Sequence, residues 1–225
     1  NNVLINLDSY TGAFAQNYYL YRYNNSRFVP IVWDLNMAFG GFPFVGSGNT
    51  SLGSLTVANM QQLPLTIHNT DPYWPLINDI NNNAQWKRMY VAHMRTILNE
   101  FFVSNTYQTL ATQYQTLVDA AVQLDTNKAF TYAQFQNSLN SNTTVGSYQV
   151  PGIVTLMSAR ATYLQSTAEF TATAPSISGV TYSPSSPSVG DSVWITATIS
   201  NATNVLTGHR ADQVFKFAKE TMYDD

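Results

Sequence analysis

Residues 4–40 read LINLDSYTGAFAQNYYLYRYNNSRFVPIVWDLNMAFG, a stretch that obliges the chain to double back. Residues 18–23 are aromatic-rich and suit a strand. Asn24-Asn25-Ser26 is turn material, because Asn tolerates left-handed backbone angles. Residues 27–33 form the second strand, and Pro30 inside it predicts an edge position or a bulge. Such a hairpin draws its flanks together, and each flank carries one acidic residue, Asp8 or Asp34. Two carboxylates converging on one pocket can hold a divalent cation, or divide into a base and a metal ligand. The structural alternative is that each is a turn or cap residue beside Gly or Asn.

Low charge sets the second constraint. Charged residues make up 10% of the 225, against about a quarter in an ordinary soluble domain. Asn, Gln, Ser and Thr cover the surface instead, a composition associated with secreted or cell-surface proteins. A hydrophobic content of 44% supports a sizeable core. The net charge of −3 gives no basic footprint for nucleic acid. Cysteine is absent, which excludes disulfides and thiolate metal sites. No apolar run reaches membrane-spanning length. The chain opens on Asn1 without an initiator Met and reads as a fragment.

Downstream, residues 41–56 form a Gly- and Ser-rich loop. Gly46-Ser47-Gly48 invites a phosphate-loop reading, but Ser51 breaks the G-x-G-x-x-G spacing, so a mobile substrate-facing loop is favoured. Pro64, Pro72 and Pro75 exclude long helices over residues 57–80, and one helical turn is expected at 76–80. His68 reads as a turn residue rather than a ligand. Residues 84–102 are the clearest helix, with a stripe of Trp86, Met89, Tyr90, His93, Met94, Ile97, Leu98 and Phe101. His93 is expected in the core, and Lys87, Arg88 and Arg95 on a solvated face. Further helices are expected over 106–124 and 132–139, then one after Pro151. Within that last helix Arg160 is placed to pair with a buried carboxylate, or to pack its stem and send its head to water.

The motifs NLDSYTGAFAQNYYLY and FVPIVWDLNMAFGG resemble the core of the spore coat protein H (CotH) kinase family, an atypical branch of the protein-kinase-like fold. The resemblance is strongest over residues 4–40 and extends through the helices to SARATYL, ending near Leu164. It implies magnesium and ATP as cofactors and a protein hydroxyl as acceptor. On it, Asp8 resembles the catalytic Asp, Asn17 the polar metal-supporting residue, and Asp34, ahead of Phe39-Gly40, the metal-binding Asp. Gln16 stands where the family pattern has His, and Asn36 where an acidic residue is common. No Gly-rich strand-loop and no V-A-I-K lysine precede Asp8, so this chain alone is expected to bind ATP poorly.

The expected fold class is mainly α (α+β): a kinase-like C-terminal lobe over residues 1–170, its small β-hairpin at the active site. A short β-rich segment, 175–225, follows. There PSSPSVGDSVWITATIS alternates with period two and resembles the opening of an immunoglobulin-like module too short to close. The last stretch, GHRADQVFKFAKETMYDD, reads as charged and helix-like. The non-enzymatic alternatives are a surface or adhesion module on a degenerate kinase-like scaffold, and a carbohydrate-binding protein drawing on the abundant Tyr and Trp. Oligomeric state is left open.

Overall fold

The structure is a computed structural model, and it describes residues 1–24, 27–46, 53–202, 205–209 and 218–221. Contacts divide the chain into Asn1–Thr171 and Ala172–Asp225. Both hold helices or small sheets, a mixed α+β composition.

In the first unit the predicted hairpin forms. Strands β1 (Tyr18–Arg22) and β2 (Phe28–Val32) pair antiparallel, Tyr18 facing Val32 and Leu20 facing Pro30. The turn at Asn25 and Ser26 lies outside the described residues. Helices α1 (Val57–Gln61) and α2 (Pro75–Asn82) follow. Thr56 caps α1 by accepting from Asn59 N–H at 3.1 Å, and Pro75 opens α2 where no N–H is needed.

Helix α3 (Ala84–Ile97) is capped by Asn83, as its sequence predicts, and continues as a π-helix over Leu98–Val103. Only one of the two apolar rows of its predicted stripe faces inward. Met94, Leu98 and Phe102 are buried with Tyr90 packed beside them, whereas Trp86, Met89, His93, Ile97 and Phe101 are exposed. His93 is therefore a surface residue, not a core one. The wider π turn opposes the drift of a four-residue step on an α-helix, so Phe102 returns to the line of Met94 and Leu98. Two cations expected in solvent are half-buried instead. Arg95 donates to Glu169 C=O at 2.9 Å and lies over the Phe170 ring at 5.3 Å, and Lys87 sits 3.6 Å from Glu169.

Helix α4 occupies Thr106–Leu124, and α5 (Tyr132–Asn137) starts at a capping box between Thr131 and Gln134. Most apolar residues of α4 stay outside: Tyr107 is buried, but Tyr114, Leu117, Val118 and Leu124 are exposed. A hairpin of β3 (Thr143–Val145) and β4 (Tyr148–Val150) then fills a stretch with no strand signal in its sequence. Helices α6 (Ile153–Ser166) and α7 (Ala168–Thr171) close the unit.

Helix α6 runs through the core. Leu156, Met157 and Leu164 are fully buried against Ile5, Leu7, Met60 and Leu98. Arg160 is also fully buried and meets neither expected fate, since among the described residues it pairs with no carboxylate, and it does not reach water. Its Nε donates to Val3 C=O at 2.9 Å, Nη1 to Leu63 C=O at 3.0 Å and Met60 C=O at 3.2 Å, and Nη2 to Asn2 C=O at 2.9 Å and Asn2 Oδ1 at 2.7 Å. The acceptors at Met60 and Leu63 are carbonyls at the C-terminal end of α1, where the helix dipole favours a cation. Burial pulls Arg160 down to about 10, with Tyr90 and Tyr163 opposing, so it stays charged at neutral pH.

The second unit holds β5 (Ser176–Ser183) paired with β6 (Trp194–Ser200), and β7 (Leu206–His209) paired with β8 (Ala218–Thr221). The period-two pattern at 193–199 is thus a strand, while the helix-like reading of the tail is overturned at residues 218–221. Gly208 and His209 at the start of that tail end β7, and the remaining residues lie outside the described ones.

Arg160→Ala would leave the buried carbonyls of Val3 and Leu63 and the Asn2 Oδ1 without the donor they now have, and is expected to lower unfolding stability by about 3–5 kcal/mol. Arg160→Lys, with three donors in place of five, should lose less. Urea denaturation followed by circular dichroism measures both.

Candidate active site

The loop ahead of the hairpin is held by short polar bonds. Ser9 Oγ donates to Asn6 C=O at 2.6 Å, Thr11 Oγ1 donates to the same carbonyl at 3.2 Å, and Gly12 N–H donates to Ser9 C=O at 3.1 Å. Gly12 is required there: a Cβ would lie 1.6 Å from Leu7 O, far inside contact distance. Tyr10 OH accepts from Leu76 N–H at 3.1 Å, and the Tyr10 ring stands edge-on to Tyr18 at 5.5 Å. Asp8 is thereby fixed at the start of a braced loop.

Two neighbours from the entry to β1 close on Asp8. Gln16 Nε2 donates to Asp8 Oδ1 at 2.7 Å, and Asn17 Nδ2 donates to the Asp8 main-chain carbonyl at 2.9 Å. Asp8 and Asn17, singled out in sequence, are therefore brought together. Gln16, seen there only as a departure from pattern, is the residue that touches the carboxylate. Its position directly before Asn17 was the available signal.

Asp34 arrives from the other strand. The ladder ends at Tyr18 and Val32, so Gln16 and Asp34 both lie two residues beyond the same end of it. Past Asp34 the chain is tied back beside Asp8, with Phe39 N–H donating to Leu4 C=O at 2.9 Å and Gly40 N–H to Ile5 C=O at 3.0 Å. Gly40 has φ +80°, and a Cβ there would meet Pro151 Cγ at 2.8 Å, so only glycine permits this return. Asn17 (φ 58°) and Asp34 (φ 53°) both adopt left-handed backbone, as do Ile5, Ala15 and Phe39. Such conformations cost free energy and concentrate at functional sites.

Beside this end lies a cleft of about 640 Å³. Leu20, Pro30, Val32 and Trp33 form one wall, Ile77 and Ile80 another, and Asn6, Ser9 and Asn17 supply polar groups. Asn17 is the candidate residue that lines it. Asp8 and Asp34 are not among its lining residues, although Ser9, Trp33 and Leu35 next to them are.

The donor set suits a hard cation, since Asp8, Asp34 and Asn17 offer oxygen only, and Asp34 is exposed enough to keep bound water. Asn17 commits its Nδ2 to Asp8 C=O, which leaves Oδ1 as its ligating atom. Among the described residues no cluster of three His, Asp or Glu side chains forms. Phosphate finds less support. Of the lysines with described side chains, Lys87 lies beside Glu169 and Lys128 donates to Asp125 C=O. Gly46 is described, with φ +72°, but Ser47 and Gly48 of the suggested phosphate loop lie outside the described residues.

Comparison with known families decides the kinship: the model described as CotH kinase protein matches residues 1–164. The chain belongs to the CotH kinase family. This identifies a kinase-like domain at the level of the family, and kinases in general use ATP and a metal. No curated protein and no solved structure matches the chain.

His68 combines two roles. It is a turn residue, with φ 58°, yet its ring is buried and stacks on Trp74 at 3.6 Å and 7°. Its Nε2 lies 3.1 Å from Val45 C=O, a distance that suits the tautomer protonated at Nε2. The ring therefore pins residue 45 of the loop after the Asp34 segment. Burial lowers the His68 pKa, against the opposing Val45 carbonyl and Asp71. The folded state thus prefers the neutral ring, and its stability is complete above the ordinary histidine pKa, near 6.5. Stability should fall as pH drops below that value towards the folded pKa, since the unfolded chain binds the proton more readily. In His68→Gln this fall in stability below about pH 6.5 should be lost, as read from melting temperature against pH.

Proposed function

We propose that this CotH-type domain transfers the terminal phosphoryl group of ATP to a hydroxyl of a protein substrate, with secretion or surface display as its setting. The observation that carries this reading is the closing of Gln16 and Asn17 on Asp8 at the end of the ladder from which Asp34 emerges. Asp8 is the base: its Oδ1 is held by Gln16, and its second oxygen takes the proton of the acceptor hydroxyl. The hydroxyl oxygen forms the new bond to phosphorus as the bond to the ADP oxygen breaks. Asp34 and Asn17 would hold magnesium, which when bound neutralises the phosphate charge. The left-handed backbone at both residues fixes their side chains before substrate arrives.

The expected result is magnesium-dependent transfer from ATP by the full gene product. Asp8→Asn retains an oxygen for Gln16 but removes the base, so kcat should fall about 10²–10⁴-fold with the melting temperature unchanged. Asp34→Ala should abolish the magnesium dependence of ATP binding measured by calorimetry. Binding that ignores Asp34→Ala, or no transfer at all, would remove the reading.

A second reading is a non-catalytic surface module on this scaffold. The Gln16 amide on Asp8 Oδ1, where the family pattern has a titratable His, favours it. A full gene product that fails to bind magnesium-ATP yet keeps its melting temperature on Asp34→Ala would support it.

A further inference from the structure

The β1–β2 ladder has an unused side. Tyr23 N–H donates to Arg27 C=O at 2.8 Å, so pairs in register with it, such as Tyr21 with Val29 and Tyr19 with Ile31, are the hydrogen-bonded ones. In an antiparallel ladder these alternate with pairs whose main-chain groups point outward. Tyr18 and Leu20 therefore aim their N–H and C=O groups away from β2. Pro30, which faces Leu20, occupies an outward pair, where the absence of its N–H costs the ladder nothing.

The two edges of the hairpin are consequently unlike. The outer edge of β2 lacks a donor at its centre, a common device against further pairing. The outer edge of β1 has no such block, and among the described residues no third strand pairs with either. The side chains around it are not those of a solvated edge. Tyr19, Leu20, Tyr21, Ile31, Val32 and Trp33 are each between 48% and 64% exposed, although a two-stranded ribbon standing in water is at best marginally stable.

We propose that β1 pairs edge to edge with β1 of a second copy of this chain, antiparallel about Leu20, to make a closed sheet in the order β2–β1–β1–β2. The sequence YYLYR is suited to itself in this register. Leu20 meets Leu20 of the second copy, outward pair against outward pair as the alternation requires, and Tyr19 meets Tyr21, aromatic against aromatic. The one charged side chain of the strand, Arg22, falls opposite Tyr18 and not opposite another Arg22. A net charge of −3 over 225 residues opposes the association little. Pro30 then sets the stoichiometry: both outer edges of the new sheet are β2 edges without a central donor, so growth stops at two copies.

Sedimentation of the full chain over a range of concentrations tests this. The expected result is a shift from the mass of one chain to that of two, with nothing larger. Leu20→Pro removes the central donor of β1 as Pro30 does across the ladder, and the two-chain species should disappear. Leu20→Ala keeps the donor and should retain it. A readout without substitution is amide exchange: Leu20 N–H should slow on concentration, while Tyr19 and Tyr21 N–H, already bonded within the hairpin, should not change. A one-chain mass at every concentration, association by Leu20→Pro equal to that of the parent, or Leu20 exchange independent of concentration would overturn the proposal. None of these outcomes depends on catalysis.

Discussion

A single buried guanidinium holds the first unit together. Arg160 stands within α6, yet its acceptors come from residues 2–3 at one end of the sequence and from residues 60–63 after α1. Among the described residues no carboxylate shares the site, so the cation is compensated by main-chain carbonyls and the Asn2 side-chain amide oxygen. That arrangement works only while every carbonyl keeps its place. The turn that leads into Ile5 and Leu7, the end of α1 and the middle of α6 are thereby fixed relative to one another, and the apolar side chains of each pack in the space between them.

The site inherits its geometry from this strut. Asp8 follows directly on the segment that Arg160 and the core immobilise, and Gly40 returns the Asp34 flank to Ile5 of the same segment. The hairpin between them is anchored mainly at its base and exposed along its length. Rigidity is concentrated where the acidic residues sit, and apolar surface is offered where another strand could lie.

How much of this could be read from residues alone varies with where the information resides. The hairpin was legible because aromatic residues, Asn-rich turn material and Pro30 each carry a local preference. The bounds of α4 were legible from its apolar period. The inner face of α3 was not, because two apolar rows run along its sequence and only packing selects the inner one: the row of Met89, His93 and Ile97 stays outside, and the π-helical turn at Leu98–Val103, which no residue announces, keeps Phe102 rather than Phe101 in line with Leu98. The hairpin at Thr143–Val150 is short and polar, and only Gly146, at φ 57°, marks its turn. Arg160 was misread because its partners are carbonyls, which every residue possesses and no sequence distinguishes. At the site, Asp8 and Asn17 followed from their motif, while the hydrogen bond from Gln16 depended on a loop closure set by Ser9, Thr11 and Gly12.

The face-to-face contact of His68 with Trp74 has an optical consequence. An imidazolium ring quenches indole emission by accepting an electron from the excited state, whereas the neutral ring does so weakly. The chain therefore contains its own fluorophore–quencher couple, buried in the turn that grips Val45, and the brightness of that indole reports whether the grip is in its neutral or its charged form.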